Sequence, residues 1–185
     1  SNQTIMSITG DSAKILTCER TALNLLTRMS GIATQTNYLV KKIPSKTKLY
    51  ATRKTAPGLR YFDKEAVEIG GGKKHRLRLD EMVMIKDNHI AVSDSLELLI
   101  KKAKKKYKKF EVEVENISDA VFAAKSGASI IMLDNFTPSQ IKKAISILKK
   151  EKLRNKVLLE ASGGITVKNI SNYGKTGVDI ISVGS

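Results

Sequence analysis

The 185-residue sequence predicts an α/β fold in which parallel strands close into a TIM-like barrel, preceded by an N-terminal helical segment. Six short apolar runs have the length and composition of buried strands. Intervals of about 20–35 residues between them leave room for a helix that connects successive parallel strands. The predicted strands cover residues 48–52, 82–86, 110–114, 130–133, 157–160 and 180–183.

The position of the polar residues favours a barrel over an open sheet. Nearly every predicted strand ends in a charged or glycine-rich segment, and these segments read TRKT, KDNH, EVEVEN, LDN, EASGG and SVGS. Barrel enzymes build their active sites at the rim formed by the carboxyl ends of the strands. Open sheets instead bind ligands at one switch point. Polar ends on so many strands therefore indicate one cavity within a ring.

The first 45 residues predict helices. Apolar residues recur at helical spacing over residues 11–29, Gly31 interrupts the pattern, and a second helical stretch over 32–42 ends before Pro44. We expect a single barrel domain over residues 1–185. The chain stops directly after a predicted strand, where a barrel usually needs a closing helix, so we expect the barrel to be incomplete and the chain to be a fragment.

The formal net charge of +15 is the feature most typical of a nucleic-acid-binding protein. Seven lysines, however, lie within residues 101–109, at the end of a predicted amphipathic helix. Aromatic residues that would stack on bases are sparse and are not interleaved with these lysines. A solvated helix face is therefore favoured over a polyanion site, and we expect no nucleic-acid partner.

Other classes of protein are excluded by what the sequence lacks. No apolar run approaches the roughly 20 residues of a membrane-spanning helix, and no signal-peptide pattern begins the chain. We expect a cytoplasmic protein without a membrane partner. The single cysteine, Cys18, makes no intrachain disulfide and is expected to be a small buried residue.

Cationic residues follow the first two predicted strands and the glycine triplet between them. They are Arg53 and Lys54 in TRKTAPG, His75 and Arg76 in GGGKKHR, and Lys86 in IKDNH. If these segments meet at one rim, they form a cationic pocket suited to a small substrate with several negative groups. Scattered surface charge is the alternative for each residue taken alone.

Carboxylates are expected in the same pocket, from Glu113 and Asp134 at the ends of successive strands. Such groups hold sugar hydroxyls or Mg²⁺, or stabilise an oxocarbenium-like transition state. A structural salt bridge remains the alternative. Strand alternation places Glu111, Glu113 and Glu115 on one face, which is costly unless that face meets the cavity.

Two glycine-rich segments allow two interpretations each. Ser162, Gly163 and Gly164 follow a strand and precede a helical stretch, where backbone N–H groups can bind a phosphate, and Gly184 would complete such a site. A tight turn is the alternative. The glycines at 70–72 are ambiguous in the same way, and the alternative to a binding role is a flexible loop that only presents His75 and Arg76.

Nine segments in this order resemble the quinolinate phosphoribosyltransferases, from about residue 10 to residue 185. They are ERTALNLL, SGIAT, TRKTAPGLR, GGG-x-x-HR, IKDNH, EVEVEN, IIMLDN, LEASGGIT and GVDIISVG. The resemblance implies that quinolinate and phosphoribosyl pyrophosphate, with Mg²⁺, give nicotinate mononucleotide, pyrophosphate and CO₂ on the route to NAD. It implies no redox cofactor.

The resemblance also implies roles for individual residues. Arg53, Lys54, His75, Arg76 and Lys86 would bind the carboxylates or the pyrophosphate, joined by Arg20 from a neighbouring subunit. Glu113 and Asp134 would contact the Mg²⁺-bound ribose, and Ser162, Gly163, Gly164 and Gly184 the nucleotide phosphate. Lys54, Lys86, Glu113 and Asp134 are the expected catalytic residues.

Members of the family usually carry an N-terminal α/β sandwich domain and a C-terminal extension, and this sequence shows neither. The family implies a homodimer or a higher homo-oligomer. Two alternatives remain: a related transferase that acts on nicotinate, and a non-catalytic barrel whose lysine-rich helix binds a polyanion or an acidic partner.

Overall fold

The computed structural model describes residues 3–76, 82–86, 88–89 and 95–184. Helices and strands alternate along these residues. In chain order they are α1 Ser12–Val40, β1 Lys48–Ala51, α2 Arg60–Ile69, β2 Val83–Ile85, α3 Leu96–Lys106, β3 Phe110–Val114, α4 Ile117–Ser126, β4 Ile130–Asp134, α5 Pro138–Lys150, a 3₁₀ helix Arg154–Lys156, β5 Leu158–Ser162, α6 Ile170–Gly174 and β6 Ile180–Val183.

The six strands form one parallel sheet in the order β1-β6-β5-β4-β3-β2. Strands that follow one another in the chain are neighbours from β2 to β6, and the last strand pairs with the first. Among the described strands this is the cyclic order of a barrel in which β1 and β2 do not pair with each other, whereas a doubly wound sheet reverses its order at a switch point. The predicted α/β class with parallel strands is confirmed.

A short segment lies beside β1 at the side where the ring is open. Lys73 forms a parallel bridge with Tyr50, and its backbone bonds to Leu49 and Ala51 on β1. This places residues 74–76 at the strand ends, next to the residues that follow β1.

The two faces of the sheet differ in polarity. Val112, Ile131 and Leu159 are completely buried in the core on the face covered by helices, where α4 packs against β3 and β4. Burial of each such side chain contributes about 1.5–3 kcal/mol. The opposite face carries polar residues at alternate positions, including Glu111 and Glu160. The chemistry is therefore confined to the inner face of the ring.

Local sequence signals set the limits of the helices around the site. Asn116 caps α4, because its Oδ1 accepts the Asp119 N–H at 2.9 Å, and Gly127 ends that helix at φ 94°. Thr137 and Gln140 form a capping box at the start of α5. These caps keep the segments after β3 and β4 out of the helices and at the rim.

Several sequence predictions need correction. The N-terminal segment is one continuous helix, and the break expected at Gly31 is wrong. A glycine inside a helix costs about 1 kcal/mol relative to alanine, which the packing of α1 on α2 offsets. Cys18 is exposed, not buried, because it lies on the first half of α1, most of which is exposed among the described residues.

Strand limits differ by one or two residues from the predicted ones. β1 ends at Ala51, β2 is limited to Val83–Ile85, β4 extends to Asp134, and β5 runs from Leu158 to Ser162. Among the described helices, none has both the length and the apolar character needed to cross a membrane.

Candidate active site

The carboxyl ends of the strands surround a cavity of about 380 Å³. Most of the predicted site residues line it, together with residues to which no role was assigned. The lining consists of Thr52, Arg53, Lys54, His75, Arg76, Met84, Lys86, Glu113, Met132, Asp134, Glu160, Ser162 and Ser182. The structure thus brings together cations and carboxylates that are far apart in sequence, as expected for a barrel rim.

Arg53 and Lys54 enter the cavity directly after β1. The Arg53 Nε is buried, and among the described residues it has no hydrogen-bond partner. A buried guanidinium N–H without an acceptor is costly unless a ligand supplies one. Lys54 is exposed, and its backbone N–H donates to Thr52 Oγ1 at 3.2 Å. This geometry leaves both side chains available to an anionic ligand.

The glycine triplet before His75 is tightly packed, so its interpretation as a flexible loop is wrong. A Cβ at Gly70 would lie 2.6 Å from Thr36 Cβ on α1, and one at Gly72 would lie 2.7 Å from Val67 Cγ1. These distances exclude any larger side chain at either position. The glycines let the chain leave α2, pass close to α1 and run along β1.

His75 lies at the floor of the cavity between two carboxylates. Its Nε2 is 3.5 Å from Glu111 Oε2 and 3.5 Å from Glu160 Oε2, and both glutamates are completely buried. Ser182 Oγ donates to Glu160 Oε1 at 2.5 Å, while neither oxygen of Glu111 has a hydrogen-bond partner among the described residues. The separation of 3.5 Å is long for a hydrogen bond, so the histidine interaction is chiefly electrostatic.

The electrostatics of this cluster keep His75 positively charged. Burial alone lowers the pKa of His75, but Glu111 and Glu160 together outweigh it and raise the pKa to about 9. Burial raises the pKa of Glu111, and the neighbouring Glu160 adds to this. Burial also raises the pKa of Tyr50, whose ring meets His75 edge-on at 5.5 Å.

Arg76 is buried beside β2. Its Nη1 donates to the Met82 carbonyl at 3.0 Å, and its Nη2 lies 3.2 Å from Met84 Sδ. Burial lowers the pKa of Arg76. Because the ordinary pKa of a guanidinium lies so far above neutrality, the side chain remains charged. Arg76 therefore adds a fixed, oriented cation beside His75.

Lys86 and Glu113 form an ion pair across the ends of β2 and β3. The Lys86 Nζ lies 2.9 Å from Glu113 Oε2. The salt bridge that the sequence left open as an alternative for Glu113 is therefore present, but it lies in the wall of the cavity. Asp134 follows on β4, and its Oδ2 accepts from Asn135 Nδ2 at 2.7 Å.

A second, shallower cavity of about 440 Å³ adjoins the first and shares Lys54, Asp134 and Ser162 with it. Gly163 and Gly164 line it at φ 86° and 61°. A Cβ at Gly163 would lie 2.7 Å from Asn135 Cγ, so this turn requires glycine for both conformation and space.

Gly184 completes the lining of the second cavity, near Thr52 and Lys54. One detail of the sequence prediction is wrong: the glycine turn does not lead directly into a helix. Asn169 closes an intervening loop, since its Oδ1 accepts the Thr166 N–H and its Nδ2 donates to the Gly164 carbonyl. α6 begins only at Ile170 and has five residues. A phosphate bound in this cavity would therefore contact N–H groups of the loop and not those of a helix N-terminus.

Comparison with known proteins agrees with this arrangement. Residues 32–185 match the family model described as "Quinolinate phosphoribosyl transferase, C-terminal domain". The chain belongs to the quinolinate phosphoribosyltransferase family. It is 49% identical over 183 residues to a probable carboxylating nicotinate-nucleotide pyrophosphorylase of Archaeoglobus fulgidus, which covers 97% of this chain and 71% of that protein.

More distant relatives and solved structures carry the same name. The carboxylating nicotinate-nucleotide pyrophosphorylase of the rat is 38% identical, over 97% of this chain and 62% of the rat protein. The structure of the nicotinate-nucleotide pyrophosphorylase from Francisella tularensis superposes with a TM-score of 0.86 at 47% identity, covering 95% of this chain and 62% of that one. The chain thus spans between about three fifths and seven tenths of these relatives.

Arg20 is the predicted site residue that this chain does not bring to the cavities. It lies on the exposed first half of α1 and lines neither of them. Its role in a neighbouring subunit of a family member stays a prediction.

Other residues of the site received no role from the sequence. Glu160 lies in LEASGG, and strand alternation places it on the same face as Ser162, so the pattern contained a signal for it. Glu111 likewise lies on the same strand face as Glu113. Tyr50 and Ser182 carry no such signal, because they join the cluster only through tertiary contacts: Ser182 bonds Glu160 across the pairing of β5 with β6, and Tyr50 meets His75 beside the bridge to Lys73.

Proposed function

We propose that this domain belongs to an enzyme that transfers the phosphoribosyl group of phosphoribosyl pyrophosphate to quinolinate and removes the 2-carboxylate as CO₂. The products are nicotinate mononucleotide, pyrophosphate and CO₂, in the biosynthesis of NAD. The observation that carries the proposal is the ring of cations around one cavity. It is formed by Arg53, Lys54, His75, Arg76 and Lys86.

Quinolinate fits this ring by charge and shape, because it is a planar dianion with two adjacent carboxylates. Arginine offers a planar fork for a carboxylate, and the Arg53 Nε, which no described residue satisfies, is one donor in need of an acceptor. His75 and Arg76 add two buried cations at the floor. Nicotinate carries one carboxylate and would leave part of this charge uncompensated, so quinolinate is favoured.

The ribose phosphate is assigned to the second cavity. Ser162, Gly163, Gly164 and Gly184 surround it with small residues, and Lys54 connects it with the cationic ring. The backbone of the glycine turn approaches the cavity without side chains in the way, which suits a phosphate group. A nucleotide spanning both cavities would place its anomeric carbon near the wall formed by Asp134.

Glu113 and Asp134 fit a Mg²⁺ ion that arrives with phosphoribosyl pyrophosphate. Carboxylate oxygens are the ligands that Mg²⁺ prefers, and in substrate complexes it is commonly held by one or two carboxylates and by phosphate oxygens. Both residues line the same cavity on neighbouring strands. When bound, the ion would neutralise charge on the pyrophosphate.

The chemistry then follows from the substrates. The pyridine nitrogen gives its lone pair to the anomeric carbon, and pyrophosphate leaves with the electron pair of the broken C–O bond. The ring nitrogen is now cationic. When CO₂ departs, the electrons of the broken bond stay on C2 as a carbanion that the adjacent positive nitrogen stabilises, and a proton then adds to C2. The residues of this chain hold the reactants in line and stabilise the oxocarbenium character with Glu113 and Asp134.

A homodimer or larger homo-oligomer is part of the proposal. Leu16 on α1 is 71% exposed, and Arg20 lies on the same uncovered half of this helix. Leu23, seven residues after Leu16 and therefore on the same face of α1, is 39% exposed as well. A row of exposed apolar side chains on one helix face supports contact with another subunit.

The proposal is tested by chromatography of nucleotide products formed with phosphoribosyl pyrophosphate, Mg²⁺ and either quinolinate or nicotinate. This chain is compared with a longer one that includes the segments present in its relatives. Product from quinolinate alone supports the proposal. Product from nicotinate alone identifies the related transferase, while salt-dependent RNA binding with no product from either chain identifies a non-catalytic barrel.

A further inference from the structure

Lys64 on α2 is completely buried, although it carries an ammonium group. It does not line the cationic cavity. A buried charge is costly unless polar groups of the protein replace its water. The contacts that replace the water therefore indicate what this residue does.

The Lys64 ammonium binds backbone carbonyls of two segments. It donates to the Ala51 carbonyl at 3.3 Å, to the Arg76 carbonyl at 2.8 Å and to the Lys74 carbonyl. Ala51 is the last residue of β1, directly before the segment that carries Arg53. Lys74 and Arg76 flank His75. One side chain thus connects the two segments that supply four of the five cations, Arg53, Lys54, His75 and Arg76.

The segment around His75 needs such support. His75 has φ 52°, in the left-handed region that residues with a side chain rarely adopt. Backbone hydrogen bonds join Lys73 to β1, but among the described residues none of those outside helices and strands involves residues 74–76. Within the part of the chain that the structure describes, the hydrogen bonds from Lys64 to the Lys74 and Arg76 carbonyls join the backbone of these three residues to α2.

We propose that Lys64 is a positioning residue for quinolinate binding, which fixes the backbone on both sides of His75 so that His75 and Arg76 face the cavity. This inference rests on the proposed function for the identity of the ligand. Lys64 does not line either of the two cavities to which the substrates are assigned. Without its ammonium, the carbonyls of residues 74 and 76 lose a common donor, and the strained histidine relaxes toward an ordinary backbone conformation.

The test uses the longer chain with Lys64→Met, which keeps the length of the side chain and removes its charge. Michaelis constants for quinolinate and phosphoribosyl pyrophosphate are measured separately. We expect the value for quinolinate to rise on the order of tenfold or more, since small misplacements of binding groups cost that much. The value for phosphoribosyl pyrophosphate should change less than the value for quinolinate, because Lys64 holds the segment around His75 on both sides but does not hold the glycine turn around Gly163.

Lys74→Met is the matched control. Lys74 is in the same segment, but its ammonium pairs with Glu65 and Glu68 on the outside of α2. We expect unchanged constants for it. An equal effect of both variants on quinolinate would overturn the proposal, because it would trace the effect to a general loosening of α2. Unchanged quinolinate affinity in Lys64→Met would overturn it as well.

A second readout is independent of activity. The chain contains two histidines, so the NMR signal of the His75 imidazole is identified by comparison with His89→Gln. Lys64→Met, or Lys64→Gln if the first variant does not fold, should shift this signal while the circular dichroism of the helices is retained. An unshifted signal refutes the positioning role. Absence of quinolinate turnover in the unsubstituted longer chain, with the shift present, refutes the proposed function alone.

Discussion

The Nε2 atom of His75 lies 3.5 Å from Oε2 of Glu111, and both side chains are shielded from solvent at the floor of the cavity. Glu160 lies at the same distance from the other side. A histidine so placed stays protonated at pH values well above its ordinary pKa. It faces a cavity whose lining includes the cations Arg53, Arg76 and Lys86 as well as the carboxylates of Glu113 and Asp134. Charge complementarity to a dianion is thus built into the interior of the barrel.

The first prediction concerns pH. Because the pKa of His75 is raised to about 9, its signal in an NMR titration of this chain should not change near pH 6.5 but near pH 9. Glu111→Gln removes one of the carboxylates that favour the charged form, so the transition should move to lower pH. The variant should also lose quinolinate turnover, measured as kcat/KM, at a lower pH than the unsubstituted enzyme.

The same shift has a consequence for stability. The folded state holds the proton on His75 more tightly than the unfolded state, whose histidine has a pKa near 6.5. The stability contributed by this proton is therefore complete below pH 6.5 and is lost as the pH rises through about 9. Identical titrations of His75 in Glu111→Gln and in the unsubstituted chain would contradict the claim that Glu111 raises the pKa of His75.

The ion pair of Lys86 with Glu113 gives a second prediction. Lys86→Met should raise the Michaelis constant for quinolinate on the order of tenfold to a hundredfold, because a hydrogen bond to a charged group contributes about 1.5–3 kcal/mol. Lys125→Met is the control, since Lys125 pairs with Glu151 on the exposed side of the helices. The Michaelis constants of both variants are measured by steady-state kinetics. Equal constants for quinolinate in the two variants would show that Lys86 does not contact the substrate.

The glycine turn after β5 gives a third prediction. Both glycines have a left-handed backbone, so alanine at either position incurs conformational strain of about 1–2 kcal/mol. In Gly163→Ala the new Cβ also clashes with Asn135, whereas in Gly164→Ala it meets no atom within 4 Å. Gly163→Ala should therefore be the more destabilising in urea unfolding, and should weaken binding of phosphoribosyl pyrophosphate more. A larger effect of Gly164→Ala on both quantities would show that the contact with Asn135 does not shape the turn.

The fourth prediction concerns the support of the segment after β1. Arg28 on α1 pairs with Asp63 on α2 at 2.7 Å, and Asp63 Oδ2 also accepts the Ala56 N–H at 3.4 Å. Asp63→Asn should lower the thermal unfolding midpoint by about 2–4 °C, a typical shift for one modest interaction in a chain of this size.

The pH dependence of this pair is the reverse of that of His75. The hydrogen bond with Arg28 lowers the pKa of Asp63, so its contribution is present above the ordinary pKa of an aspartate and is lost as the pH falls through the lowered value. Differential scanning calorimetry of Asp63→Asn across acid pH measures this, with Glu19→Gln on the exposed first half of α1 as a control. Parallel curves for Asp63→Asn and the unsubstituted chain would contradict it.

Much of this site could be predicted from the sequence, because the ends of the strands can be recognised as the ends of apolar runs. Arg53, Lys86 and Asp134 each come directly after or at the end of an apolar run, and parallel strands bring such ends to one rim. The expected α/β class, the six strands and the position of these residues therefore agree with the structure.

What the sequence does not predict depends on close packing between distant segments. Gly31 predicts a break in the helix, yet α1 continues through it, because the contacts of α1 with α2 outweigh the low helix propensity of glycine. The glycines at 70–72 read as a loop, yet Thr36 and Val67 fill the space beside them. The proposed role of Lys64 could not be predicted from the sequence, because its partners are backbone carbonyls, which a pattern of side chains does not indicate.

The central claim, decarboxylating transfer to quinolinate, is tested most directly with quinolinate labelled in its 2-carboxylate. The longer chain is supplied with phosphoribosyl pyrophosphate and Mg²⁺, and released CO₂ is counted against nicotinate mononucleotide formed. The account predicts equal amounts of the two products, none of either without phosphoribosyl pyrophosphate, and strong loss of both in Arg53→Ala. Nucleotide formed from nicotinate with no CO₂ released from quinolinate would contradict it.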